Sequence, residues 1–125
     1  MDENAEIAAD LLELEDAVTE RAENSSAALD MFSRSEPGYY DAILMDLRMP
    51  VMDGLESARR IRALERRDAA AVPIIALTAN AFEEDIRNSA AAGMNAHLVK
   101  PIDADLLYRI LGELIYESER SVLLR

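Results

Sequence analysis

The sequence predicts an α/β fold of the doubly wound kind, with a parallel sheet between two layers of helix. Three observations predict it. Short strand-like runs alternate along the chain with helix-period segments of about ten residues, the pattern of parallel units joined by crossover helices. The two strongest runs, Ile43-Leu44-Met45 and Ile74-Ile75-Ala76-Leu77, are continuously apolar, as in strands buried on both faces. Finally, three runs end on a polar residue, Asp46, Thr78 and Lys100, at the strand ends where open α/β sheets place their chemistry.

Each element has its own signal. Ile7, Ala8, Leu11, Leu12 and Leu14 recur at helical spacing over residues 4–15, with acids between them. Residues 17–22 form a short strand around Val18 and Thr19. Asn24-Ser25-Ser26 supplies a turn and an N-cap for a helix carrying Ala27, Ala28, Leu29, Met31 and Phe32. Ser35-Glu36-Pro37-Gly38 punctuates the chain, and residues 40–45 form the next strand. Gly54, free to adopt a turn conformation, leads into a helix over residues 55–67, apolar at Leu55, Ala58, Ile61 and Leu64. Pro73 opens the strand 74–77, and a helix over 81–92 stops at Gly93 in a C-terminal cap. Ala96-His97-Leu98-Val99 is a further short strand before Lys100-Pro101, and the last helix covers 103–117.

Composition narrows the function classes. The 125 residues make one domain, 1–125, with a substantial core. No stretch approaches the roughly 18 apolar residues of a membrane span, and the acidic first dozen residues lack a basic leader. The absence of cysteine excludes disulfides, thiolate catalysis and cysteine-bound zinc, and fits a cytoplasmic setting. A net charge of −12 argues against direct nucleic-acid binding and suits a metal cation or a basic partner surface.

A strand-end carboxylate such as Asp46 serves as a metal ligand, a proton carrier or a nucleophile toward phosphorus. Taken singly, Asp46 reads as a turn residue, Thr78 as an ordinary strand residue and Lys100 as a loop residue. Together on one sheet edge, a carboxylate, a hydroxyl and an ammonium suit a phosphoryl group: the acid receives it while the other two contact its oxygens.

The flanks of these residues carry a resemblance. Asp41-Ala42-Ile43-Leu44-Met45-Asp46-Leu47-Arg48-Met49-Pro50-Val51-Met52-Asp53-Gly54 resembles the phosphoacceptor segment of response-regulator receiver domains. Residues 73–80 resemble that family's fourth strand with its switch threonine, and residues 93–103 its fifth strand with its lysine. The pattern is similar to receivers attached to hybrid sensor histidine kinases and covers residues 4–116. The resemblance implies a flavodoxin-like sheet of order 2-1-3-4-5 and a phosphorelay receiver that accepts a phosphoryl group from phosphohistidine on Asp46. It further implies Mg²⁺ held by Asp46 and the Arg48 backbone carbonyl, phosphoryl contacts from Thr78 and Lys100, and a cis Lys100-Pro101 peptide. Ala79 leaves room for the phosphoryl group, and residues 49–54 shape the loop beyond Asp46. Partner affinity would then switch on the face spanning residues 81–114. The implied partner is a histidine kinase or histidine phosphotransfer domain, and the domain is a signalling phosphoacceptor rather than a conventional enzyme. A haloacid-dehalogenase-like phosphatase needs a second Asp two residues after the nucleophile, where Arg48 stands.

Two features depart from the family. Its first strand, which ends in two acidic metal ligands, has no counterpart before the first helix. Asp2 and Glu3 lie close to that helix, and Asp2 is carried as a substitute metal ligand. Losing the strand would leave a gap at the centre of the sheet, with unpaired backbone on both sides. The apolar tail Ser121-Val122-Leu123-Leu124-Arg125 is a candidate to fill it, within one chain or by exchange in a homodimer. Extension of the last helix or fraying is set slightly ahead of that insertion. The second departure is His97, where many receivers carry Tyr or Phe; it reads as a partly exposed strand residue. Tyr39 and Tyr40 read as packing or rim residues, and Arg59, Arg60, Arg62, Arg66 and Arg67 as a solvated, paired helix face. The alternative function is a phosphorylation-independent interaction module that keeps the fold without its metal site.

Overall fold

The computed structural model describes residues 3–14, 17–22, 24–46, 54–78, 83–99, 102–114 and 120–124. Within them lie α1 (Glu3–Leu14), β1 (Ala17–Arg21), α2 (Ser25–Arg34), β2 (Ala42–Asp46) and α3 (Gly54–Arg62). There follow β3 (Ile74–Thr78), α4 (Glu83–Ala91), β4 (Ala96–Val99), α5 (Ala104–Leu114) and β5 (Arg120–Leu124). Local chemistry sets several of the boundaries. The Asn24 side chain accepts from the Ala27 N–H at 2.7 Å and caps α2. Gly93 takes a φ of +96° just past α4, a conformation that favours glycine.

The sheet has the order β1-β5-β2-β3-β4 and every pairing is parallel. The C-terminal segment neither extends α5 nor frays: it is a strand in the central slot. Thr19 and Ala42, on opposite sides, both register with Val122, and Arg21 and Leu44 both register with Leu124. The reason is backbone satisfaction. Without residues 120–124, β1 and β2 would each turn an unpaired ladder toward the same gap, and apolar β-compatible residues are the available filler. The layout is the one the resemblance implies, with the last strand in sequence occupying the first strand's place.

Side-chain alternation on the strands builds two cores. Ala42, Leu44, Ile75, Leu77 and Leu98 face Ala8 and Leu12 of α1 and Leu107 and Leu111 of α5. Ile43, Met45, Ile74 and Ala76 face Phe32 of α2 and Ala58 and Ile61 of α3. Each fully buried Leu, Ile or Phe contributes roughly 1.5–3 kcal/mol relative to exposure. The Tyr108 hydroxyl donates to the Leu11 carbonyl at 2.7 Å, tying α5 to α1.

One helix is shorter than its periodicity suggests. α3 stops at Arg62, not at residue 67, and the chain turns before β3. Two arginines that read as a solvated face account for the turn. Arg62 donates to the Gly93 carbonyl through Nε at 2.9 Å and Nη2 at 2.8 Å, to Ala69 O at 2.9 Å, and to Asn95 Oδ1 at 2.9 Å. Arg66 grips Asp68 at 2.6 Å, reaches Phe32 O at 2.5 Å and lies 4.4 Å above the Phe32 ring. Arg59 and Arg60 do behave as expected, pairing with Glu56. Gly54 is also not a turn residue; it is buried as the first residue of α3.

Two outcomes follow. Val122→Pro removes a ladder donor from the middle of the sheet and should cost about 3 kcal/mol or more by chemical denaturation, with loss of cooperative unfolding as the extreme result. The second concerns acid. Burial pushes the Asp68 carboxyl up, but hydrogen bonds from Arg66 and from the Gly38 N–H outweigh it and hold the carboxyl below its ordinary 3.8. A depressed folded value means the stabilisation is complete above about pH 4 and is lost as pH falls through the lowered value. Asp68→Asn should therefore be less stable at neutral pH and show a flatter loss of stability below pH 4, read from urea midpoints across that range.

Candidate functional site

In a parallel sheet the strands share one carboxyl edge, and α2, α3, α4 and α5, each following a strand, open toward it. α1 precedes β1 and returns along it: twelve residues of helix and five of strand are both about 17 Å long. Its first residue, Glu3, therefore lies at the same edge. Five helix N-termini thus point partial positive charge at one rim, each up to about half an elementary charge. On a chain of net charge −12, that rim is the region whose backbone dipoles favour an incoming anion.

The strand register positions the predicted site residues along this rim. Asp46, the last residue of β2, registers with Leu77 of β3. Thr78 is the next residue of β3 and registers with Val99, the last residue of β4, after which comes Lys100. Asp46 and Thr78 thus end adjacent strands about 4.8 Å apart, with Thr78 one residue further out, and β4 ends opposite Thr78 at Val99. Thr78 is partly buried. Asp2, Arg48 and Lys100 lie outside the described residues, as do the side chain of Asp46, residues 49–53, Ala79 and the Lys100-Pro101 peptide. Among the described residues no three acids, histidines or cysteines gather as a metal-binding group.

The neighbouring framework is ordered by polar contacts, of which the sequence signalled only the Glu56–Arg60 pair. The buried Ser57 hydroxyl of α3 donates to the Ser25 carbonyl at 2.9 Å, linking the openings of two helices at the rim. Glu56, in the first turn of α3, is held below the usual carboxylate range chiefly by the Arg60 hydrogen bond at 2.9 Å. At the far edge, Asn95 accepts from both Arg62 and the Ile74 N–H, so one amide ties α3, β3 and β4 together. His97 is partly exposed on the edge strand β4, as the sequence suggested. Tyr40 is buried against Phe32 and Tyr39 is exposed, and both hydroxyls donate to Glu20. A tyrosine pair before a strand carries no sequence signal for that carboxylate, because Glu20 lies on a different strand.

The family model of the response regulator receiver domain matches residues 2–111. The chain belongs to that family. Over 98 residues this receiver is 42% identical to a probable histidine kinase 2 of Oryza sativa subsp. indica, a match covering 70% of the chain and 9% of the kinase. Over 105 residues it is 36% identical to the hybrid signal transduction histidine kinase I of Dictyostelium discoideum, covering 80% of the chain and 6% of the kinase. Among solved structures, the receiver domain of the sensor histidine kinase PA1611 from Pseudomonas aeruginosa superposes with a TM-score of 0.79 at 39% identity. That match covers 91% of this chain and 89% of the other, and that structure has a magnesium ion coordinated in its active-site cleft. The receiver thus spans less than a tenth of the length of either kinase. No helix of the described residues is long and apolar enough to cross a membrane.

Proposed function

We propose that this receiver takes a phosphoryl group from the phosphohistidine of a histidine kinase or phosphotransfer domain onto Asp46, and that the modification changes its affinity for protein partners. The observation that supports this reading is the register that ends β2 at Asp46 and β3 at Thr78 on adjacent strands at one rim, with β4 ending opposite Thr78 just before Lys100 in sequence. A carboxylate oxygen of Asp46 attacks phosphorus as the P–N bond breaks, and the electron pair leaves on the imidazole nitrogen. Thr78 donates a hydrogen bond to one phosphoryl oxygen and Lys100 pairs with another, both drawn by roughly −1.5 to −2 new charges. Their movement biases the surface formed by α4, β4 and α5 between two arrangements. The cytoplasmic side, where such kinases present their phosphohistidine, is the compartment this reading requires.

The donors that the resemblance assigns to the metal are carboxylate and carbonyl oxygens, the chemistry that Mg²⁺ prefers. Asp46 and the Arg48 carbonyl are hard ligands, and α1 opens at the same rim with Asp2 and Glu3 in sequence, a set that suits a hard cation. Bound there, the ion would supply neutralisation of charge on the carboxylate and the transferring phosphoryl group. The interaction-module alternative has one observation in its favour. The strand filling the central slot ends in Leu123-Leu124, where the family places two acids.

Incubation with acetyl phosphate and Mg²⁺ separates the two. The receiver should gain one acid-labile phosphoryl group per chain by intact mass, Asp46→Asn should gain none, and Lys100→Ala should slow the gain by about 100-fold. Absence of labelling at every Mg²⁺ concentration sinks the phosphoacceptor reading and leaves the interaction module.

Exchange of β5 between two copies would preserve every pairing and reroute only residues 115–119. Six Cα steps from Leu114 to Arg120 reach up to about 20 Å, enough for closure within one chain. We therefore expect a monomer mass of 13.9 kDa in sedimentation at micromolar concentration; twice that mass identifies the exchanged homodimer.

A further inference from the structure

Strand β1 ends the sheet order: β5 pairs with one side of it, and no strand of the described residues pairs with the other. Val18, the second residue of this edge strand, is 62% exposed. Beside the edge, β1, the end of α2 and the segment before β2 enclose a depression of about 400 Å³ that includes Glu20, Met31, Tyr39 and Tyr40.

The polar centre of the depression is one carboxylate. Tyr39 donates to one oxygen of Glu20 and Tyr40 to the other, the latter at 2.7 Å. The Tyr39 bond, then the Tyr40 bond, hold Glu20 below the ordinary carboxylate value, while burial first and Glu20 second raise the Tyr40 phenol. The two rings meet edge to face at 4.8 Å, and Tyr40 is braced against Phe32. Arg34 also lines the depression, but its guanidinium faces Asp30 at 3.3 Å. Glu36 adds a second carboxylate on the rim. A fixed carboxylate flanked by two aromatic rings and a thioether suits a planar, weakly hydrated cation, which is the chemistry of arginine.

The open edge supplies the second half of a recognition mode. An extended segment added to an edge strand gains main-chain hydrogen bonds, and its alternate side chains fall on the same face as the pocket. We propose that this edge docks an extended segment of a partner protein, which pairs with β1 and sets an arginine side chain on Glu20 beside Tyr39 and Tyr40. The net charge of −12 favours a cationic partner. Tyr39 and Tyr40 precede β2, so the depression lies toward the opposite end of that strand from Asp46, and the inference stands independently of the phosphoacceptor reading.

Nitrogen-15 NMR titration of the full chain tests it, using a blocked five-residue peptide alternating valine and arginine. The controls are the same peptide with glutamine for arginine, and arginine amide alone. The arginine peptide should give saturable shifts concentrated in residues 18–21 and 39–40. Affinity should fall at least about tenfold in Glu20→Gln, which keeps the side chain's size and one acceptor oxygen, and by a similar factor with the glutamine peptide. Equal binding by Glu20→Gln, or shifts spread over the acidic helices, overturns the arginine site. Arginine amide binding as tightly as the peptide overturns the strand pairing.

Discussion

Backbone pairing at the centre of the sheet is the constraint on which the rest of the molecule depends. β1 and β2 stand on either side of a slot, and each needs a parallel partner for its inward N–H and C=O groups. Residues 120–124 meet both needs at once, with Val122 and Leu124 each registered to a residue on either side. The pairing joins the last strand in sequence to the first, so β1 with α2 and the β2–β3–β4 block become one sheet through the C-terminal segment. The carboxyl rim inherits that dependence, because the strand bearing Asp46 pairs with β5 along residues 42–44. Whatever chemistry Asp46 performs rests on a platform completed by the far end of the chain.

The two edges of the sheet are built differently. At the amino edge, charged side chains act as fasteners: Arg62 meets three neutral oxygens and, among the described residues, no carboxylate, and burial lowers its pKa. Arg66 joins α2 to the segment after α3 through a carbonyl, a ring face and Asp68. A guanidinium with five donors in a rigid fork is the side chain that bridges several carbonyls at once. At the carboxyl edge the organising field comes instead from helix N-termini. That division suits the proposed phosphoacceptor role, in which one rim would change charge while the opposite rim keeps helices and strands in place.

The first four strands and their order along the chain were legible because buried parallel strands demand apolar runs, and the helices because one face must be apolar every three to four residues. The polar ends of β2 and β3, Asp46 and Thr78, were legible for the same reason: a polar residue closing a buried run marks where the strand leaves the core. The early end of α3 was not legible, since Ile61 and Leu64 keep helical spacing while the competing bonds of Arg62 go to Gly93 and Asn95, some thirty residues away. Nor was the meeting of Glu20 with two tyrosines, because Tyr39 and Tyr40 precede β2 while Glu20 lies on β1.

By itself the sequence determined the α/β class, the positions of four strands and the likeness to receivers, and it singled out Asp46, Thr78 and Lys100 as candidates. These are local properties, expressed in runs, spacings and adjacent residues. Only the tertiary structure decided that the C-terminal tail is a central strand, that two arginines turn inward, and that Glu20 meets Tyr39 and Tyr40. Each of those outcomes depends on which backbone groups in other elements lack a partner, and that is settled only when the whole sheet is assembled.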